Sequence, residues 1–175
     1  YIELPAATRR NLELTQTLRG ESAPTLLSLL DSCITGMGSR QLRQWLLAPP
    51  RRREPAIDRL QAIACLRAGL QARLREQLRG SADVERISAR LALRQVRPRE
   101  LAALVHSLQR AQSLHALLSQ SHDLPPLLGR LREALQAPPE CGQKLASTLM
   151  DEPAALLREG GVIRDGHDSE LDELR

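Results

Sequence analysis

From Ile57 to Leu78 an aliphatic side chain returns at every third or fourth position: Ile57, Leu60, Ile63, Leu66, Leu70, Leu74 and Leu78. A helix of about 3.6 residues per turn gathers such a set on one face, whereas a strand would scatter it over both. The spacing returns at Val84, Ile87 and Leu91, and after Pro98 at Leu101, Leu104, Val105, Leu108, Ala111 and Leu118. Leu124, Leu127, Leu128, Leu131 and Leu135 repeat it after His122-Asp123, and Leu145 and Leu149 mark a last short helix. Side-chain types agree with the periodicity. Of 175 residues 35 are Leu, with one Trp, one Tyr and no Phe. A Leu/Ala core poor in aromatic and β-branched residues packs as helices rather than as a sheet. The expected fold is all-α: a multi-helix, Leu-rich, bundle-like domain with minor short strands near residues 10–15 and 161–164.

Local punctuation divides the chain further. Leu12 and Leu14 alternate with polar neighbours as in a short strand, although the residues after Thr8 also suit a capped helical turn. Thr25 to Asp31 reads as a short, nearly all-apolar helix, buried on most sides. Thr35 is the expected N-cap of a helix running to Leu47, with Leu42, Trp45 and Leu46 on one face, which places Trp45 in the core. Pro49-Pro50 ends it, and Pro55 sits where a first-turn proline is tolerated. Gly69 is a candidate break in the long repeat and Gly80 a stop. Beyond Met150 the chain reads as turn and short strand, and Asp168 caps a final helix.

Charge narrows the function classes. The net charge is +4, too mild to mark a nucleic-acid binder, yet 24 of the 25 basic residues are Arg. Residues 1–150 hold 22 basic and 13 acidic side chains, while residues 151–175 hold 3 and 8. Arg51, Arg52 and Arg53, and Arg94, Arg97 and Arg99, could meet phosphates. The plainer reading is solvated faces in a chain that uses Arg wherever others use Lys. One Trp and one Tyr cannot build a base-stacking platform. Cys33, Cys65 and Cys141 are too scattered for a zinc clip or a disulfide framework, so a reducing compartment is expected. No secretory leader is evident at Tyr1-Ile2-Glu3-Leu4-Pro5, and no apolar run approaches the roughly 18–20 residues that span a bilayer.

Catalytic chemistry finds little support. No Gly is followed by Lys, so a phosphate loop is absent, and Gly36-Met37-Gly38 reads as a tight backbone approach at a helix start. His106, His115, His122 and His167 lack the i, i+4 spacing that puts two imidazoles on one helix face. Glu170, Asp172 and Glu173 crowd one short helix, where their ordinary role is favourable charge near its N-terminus. The expected site list is therefore empty: no catalytic, cofactor-binding or metal-binding residue.

Several stretches together resemble one family. Ala6-Ala7-Thr8-Arg9-Arg10-Asn11-Leu12-Glu13-Leu14, Thr25-Leu26-Leu27 leading to Asp31, and Thr35-Gly36-Met37-Gly38-Ser39-Arg40 with Leu42, Trp45, Leu46 and Pro49 form the opening of the match. Asp83-Val84-Glu85-Arg86-Ile87, Ala89 to Arg94 and Arg97-Pro98-Arg99-Glu100-Leu101 continue it, and Gly161-Val162-Ile163 with Asp168 and Glu170 to Arg175 close it. In order and combination they resemble the first segment of the helical core of the bacterial MutS family of DNA mismatch-repair proteins. Gly36 departs from the Pro usual in that family, which loosens the loop before the Trp45 helix.

The resemblance implies a division into core segment 1–167 and lever-helix root 168–175, within a cytoplasmic bacterial protein and with no membrane partner. It implies a structural relay between an ATPase and a DNA clamp, both outside this chain, in a homodimeric parent that uses ATP and magnesium. Mismatched double-stranded DNA and other repair proteins would be partners of that parent. This segment itself is expected to be no enzyme and to hold no cofactor. The competing expectation is a freestanding helical interaction scaffold with an Arg-rich face. Since a second segment completes the core in the family, at least one apolar stripe, on helices such as Leu101–Leu118 and Leu124–Leu135, is expected to be uncovered and to drive self-association or local loosening.

Overall fold

The computed structural model describes residues 1–121, 123–136 and 139–174, with Pro139 described in its backbone alone. His122, and with it the helix-start pair His122-Asp123, lies outside the described residues. Helices dominate, and the chain divides into two compact units, Tyr1–Arg79 with Leu124–Leu127 and Gly80–Asp123 with Leu128–Arg175.

In the first unit α1 (Ala6–Asn11) follows Pro5. The strand expected near residues 10–15 is not there. The helix runs through Asn11, and Glu13 then takes φ +46°, reversing the chain where a strand would have to continue. Two alternating leucines cannot outweigh a turn that leaves Leu12 exposed and buries Leu14. The reversal lets the Leu26 and Leu27 amides bond the Glu13 and Leu14 carbonyls at 3.1 and 2.9 Å. Helix α2 (Leu26–Leu30) begins in a reciprocal cap: the Ser28 amide donates to Thr25 Oγ1 at 3.1 Å and the Thr25 amide to Ser28 Oγ at 2.8 Å. It is not buried on most sides. Leu29 is 82% exposed and Leu30 is also exposed. Five residues give too short a rod to hide every face, however apolar the sequence.

Thr35 caps α3 (Gly36–Leu47), accepting from the Gly38 amide at 3.1 Å. A Cβ at Gly38 would meet Thr35 Oγ1 at 3.2 Å and Cys33 Cβ at 3.3 Å, the close approach expected of this loop. Trp45 departs from expectation. It is 40% exposed, with the Arg59 guanidinium 3.8 Å from its ring centroid. Sharing a face with Leu42 and Leu46 located the stripe without identifying what lay over it. An exposed cation–π pair contributes about 0.5–1 kcal/mol. Trp45→Ala is therefore expected to cost about 1 kcal/mol in a thermal melt, well below the 3–5 kcal/mol of a buried aromatic.

The long repeat becomes α4 (Glu54–Cys65) and α5 (Gln71–Leu78), joined by a wider π-type turn at Leu66–Leu70. Gly69 supplies the break with φ +147°. Pro55 lies in the first turn of α4.

The second unit is organised on α7 (Pro98–Ser119), which buries Ala102, Leu104, Val105, Leu114, Leu117 and Leu118. Helix α6 (Val84–Ala92), capped by Asp83, contributes Ile87, and α8 (Pro126–Ala134) contributes Leu128. Helix α9 (Pro139–Thr148) packs along α7. Ser107, buried in α7, accepts from the Ala82 amide at 2.9 Å and donates to the Ala103 carbonyl at 2.9 Å, tying the segment before α6 to the central helix.

The strand expected at 161–164 contracts to one antiparallel bridge between Leu149 and Ile163. The Met150 amide donates to the Val162 carbonyl at 2.9 Å, and the Arg164 amide to the Thr148 carbonyl at 2.8 Å. After a single-turn 3₁₀ segment at Leu157–Glu159, Asp168 caps α10 (Ser169–Glu173) by accepting from the Glu170 and Leu171 amides.

The uncovered stripe is also placed differently from expectation. The face of α7 is covered, and α8 leaves Leu131 exposed while burying Leu128. A bare run also lies on α4, where Ile57, Leu60 and Ile63 are 50%, 65% and 49% exposed. Periodicity marks a face but carries no information about its neighbour. Among the described residues no helix is long and apolar enough to cross a membrane.

Candidate functional site

The charged surfaces carry the functional candidates. Arg51, Arg52 and Arg53 form an exposed basic turn immediately before α4. The second cluster is bound into structure. Arg97 is the N-cap of α7, and its amide donates to Glu100 Oε2 at 2.9 Å. Glu100 also pairs with Arg90 of α6, and Arg99 Nε donates to the Pro153 carbonyl at 3.2 Å. Arg94, with φ +54°, follows the end of α6. The Arg99 side chain and the Arg97 amide fasten the start of α7 to its surroundings, while Arg94, Arg97 and Arg99 are all exposed.

Glu100 is held below its ordinary value of 4.5, first by the Arg97 amide and then by the Arg90 guanidinium. A depressed carboxyl stabilises the fold above its unfolded value, and the contribution is lost as pH falls through the folded one. The melting difference between the parent and Glu100→Gln is therefore expected at pH 7 and should shrink toward zero by pH 3. An equal difference at both pH values would remove Glu100 ionisation from the account.

The remaining expected roles are local. The Gly38 amide already serves Thr35, so Gly36-Met37-Gly38 offers no free amide cradle at that point. Asp172 Oδ2 accepts from the Gly166 amide at 2.7 Å, which makes it a turn anchor in addition to a helix-start charge. His115 Nε2 lies 3.1 Å from Gln136 Nε2. His106 and His167 are exposed. Among the described residues no three metal-ligating side chains gather.

Sequence reading missed one grouping. Arg9 and Arg10 of α1 and Arg43 of α3 line a single cleft with Thr15, Gln16, Thr17 and Leu18. Arg43 stands more than thirty positions beyond the adjacent pair Arg9 and Arg10. No spacing rule finds such a set, which forms only once α3 packs beside α1.

Thr35, Asp83 and Asp168, which open three of the quoted stretches or close them, each cap a helix. Residues 7–175 match the family model of MutS domain III. The chain belongs to the MutS family. MutS domain III is part of the core of mismatch-repair proteins. It also places this chain in a protein context of DNA mismatch repair.

Proposed function

We propose that this chain is the core segment of a mismatch-recognition ATPase that carries nucleotide-dependent rearrangement to the DNA clamp. In this reading residues 1–167 form the first core segment and residues 168–175 the root of the outgoing lever. ATP and magnesium act in another domain of a homodimeric, cytoplasmic bacterial parent, and mismatched DNA is held by its clamp. The match to MutS domain III carries the proposal. Two features support it. Helix α7 has 22 residues, a strut of about 33 Å. The kink at Gly69 offers a joint between α4 and α5. A relay requires both stiffness and a place to bend.

The test is Gly69→Ala in the full-length protein. ATP-triggered release of heteroduplex DNA should slow at least tenfold while ATP hydrolysis stays within about twofold. Unchanged release, or equal loss of both, would refute a relay through this joint.

The bare stripe on α4 supports a covering partner, which in this reading is the second core segment. In its absence Ile57, Leu60 and Ile63 present a few hundred Å² of aliphatic surface, worth several kcal/mol before association entropy. That is below the roughly 800 Å² per partner of a stable interface, so the isolated chain is expected to self-associate weakly. Sedimentation velocity should show concentration dependence that Leu60→Gln with Ile63→Gln abolishes. A strictly monomeric parent at high concentration would show that the stripe needs no cover.

A further inference from the structure

We propose that the cleft between α1 and α3 is an oxyanion site that takes a phosphate-bearing ligand on Arg9, Arg10 and Arg43. Three guanidiniums line it together with Thr15, Gln16 and Thr17, and no carboxylate lies among the lining residues. None of the three arginines is ion-paired among the described residues. Arg10 is held in place by donating from Nη2 to the Leu18 carbonyl at 3.3 Å. The nearby acid Glu13 is already engaged, because its Oε1 accepts from the Leu18 amide at 2.7 Å. The lining residues thus carry three positive charges and no negative one. Elsewhere the chain satisfies comparable guanidiniums internally, as with Arg90 on Glu100 and Arg164 on Asp151.

The arrangement favours phosphate over a lone carboxylate. Guanidiniums contributed by two different helices approach a ligand from different directions, and a phosphate offers oxygens tetrahedrally with more than one negative charge. A carboxylate offers two coplanar oxygens and one charge, enough for a single arginine fork. The cleft, about 400 Å³, has room for two linked phosphates. No aromatic residue lines it, so nothing there would read a base. The ligand is thus recognised through its phosphates alone, either as a free oligophosphate or as the phosphodiester backbone of a nucleic acid.

The test uses the 175-residue chain in a phosphate- and sulfate-free buffer, with folding of each variant checked by circular dichroism. Inorganic pyrophosphate is titrated calorimetrically against the parent, against Arg9→Gln with Arg43→Gln, and against the exposed pair Arg67→Gln with Arg158→Gln. Both variants lose two positive charges, but only the first pair lines the cleft. Saturable binding that weakens about tenfold in the cleft variant and less than twofold in the other supports the site. Equal weakening in both would reduce the effect to net charge, and an absence of saturable binding would overturn the proposal outright. A 20-base-pair duplex is then added as competitor. Displacement of pyrophosphate assigns the site to a nucleic-acid backbone, and failure to displace assigns it to a free oligophosphate.

Discussion

Replacing Leu118 with alanine is expected to destabilise the chain by about 2–5 kcal/mol, the cost of losing buried methyl groups and leaving a cavity behind. Leu118 is among the most enclosed side chains, 4% exposed on the face of α7 that meets the core of the second unit. A domain of ordinary stability has about 5–15 kcal/mol in total, so this one change removes a large share of it. Urea titration of parent and variant, followed by helicity, measures the difference. The slope with denaturant should stay constant if the native state is otherwise preserved. A cost below about 1 kcal/mol would mean that α7 is not the element on which the unit is organised. Leu29→Ala, at an exposed position on α2, serves as the control and should be nearly silent.

Gly69→Ala should produce the second large effect, through a different cause. At φ +147° and ψ −9° the backbone occupies a region that side-chain-bearing residues avoid. A Cβ there meets nothing within 4 Å, so any cost comes from the backbone and not from a clash. Sparsely populated backbone conformations cost about 1–3 kcal/mol each. For a chain of this length the melting temperature should fall by roughly 2–4 °C per kcal/mol. The competing outcome is that alanine, a better helix former by about 1 kcal/mol, closes the π-type turn and fuses α4 with α5. A pair of spin labels at positions 58 and 76 would then report a longer, narrower distance distribution. If neither melting temperature nor distance changes, the kink is not held by Gly69.

Much of this architecture was written locally in the chain. Thr35 and Asp168 cap helices because a short oxygen-bearing side chain can reach back to the first amides. Pro98 and Gly69 act through their own backbone limits, and such residues carry their effect wherever they stand. What escaped sequence reading depended on neighbours from elsewhere in the chain. The stripe through Ile57, Leu60 and Ile63 and the stripe of α7 look alike as patterns, yet one is bare and the other enclosed. Trp45 faced the same ambiguity, and Arg59 rather than the core met its ring. The alternation at Leu12 and Leu14 misled because it was two residues long, shorter than the turn that overrode it. The cleft of Arg9, Arg10 and Arg43 was invisible for the same reason: Arg43 joins the other two only through the fold.

The bridge between Leu149 and Ile163 has a mechanical consequence. Its two hydrogen bonds join residues 148–150 directly to 162–164, so the intervening loop 151–161 lies in parallel with a much shorter path. Tension applied beyond Arg164 passes through the bridge into α9 and on to α7, and the loop carries none of it. Once the bridge and the neighbouring Arg164–Asp151 ion pair open, up to roughly 40 Å of slack chain must be drawn out before tension reaches α9 again. The pair of bonds thus behaves as a fuse: intact, it makes the connection stiff; broken, it disconnects the two ends over the length of the loop.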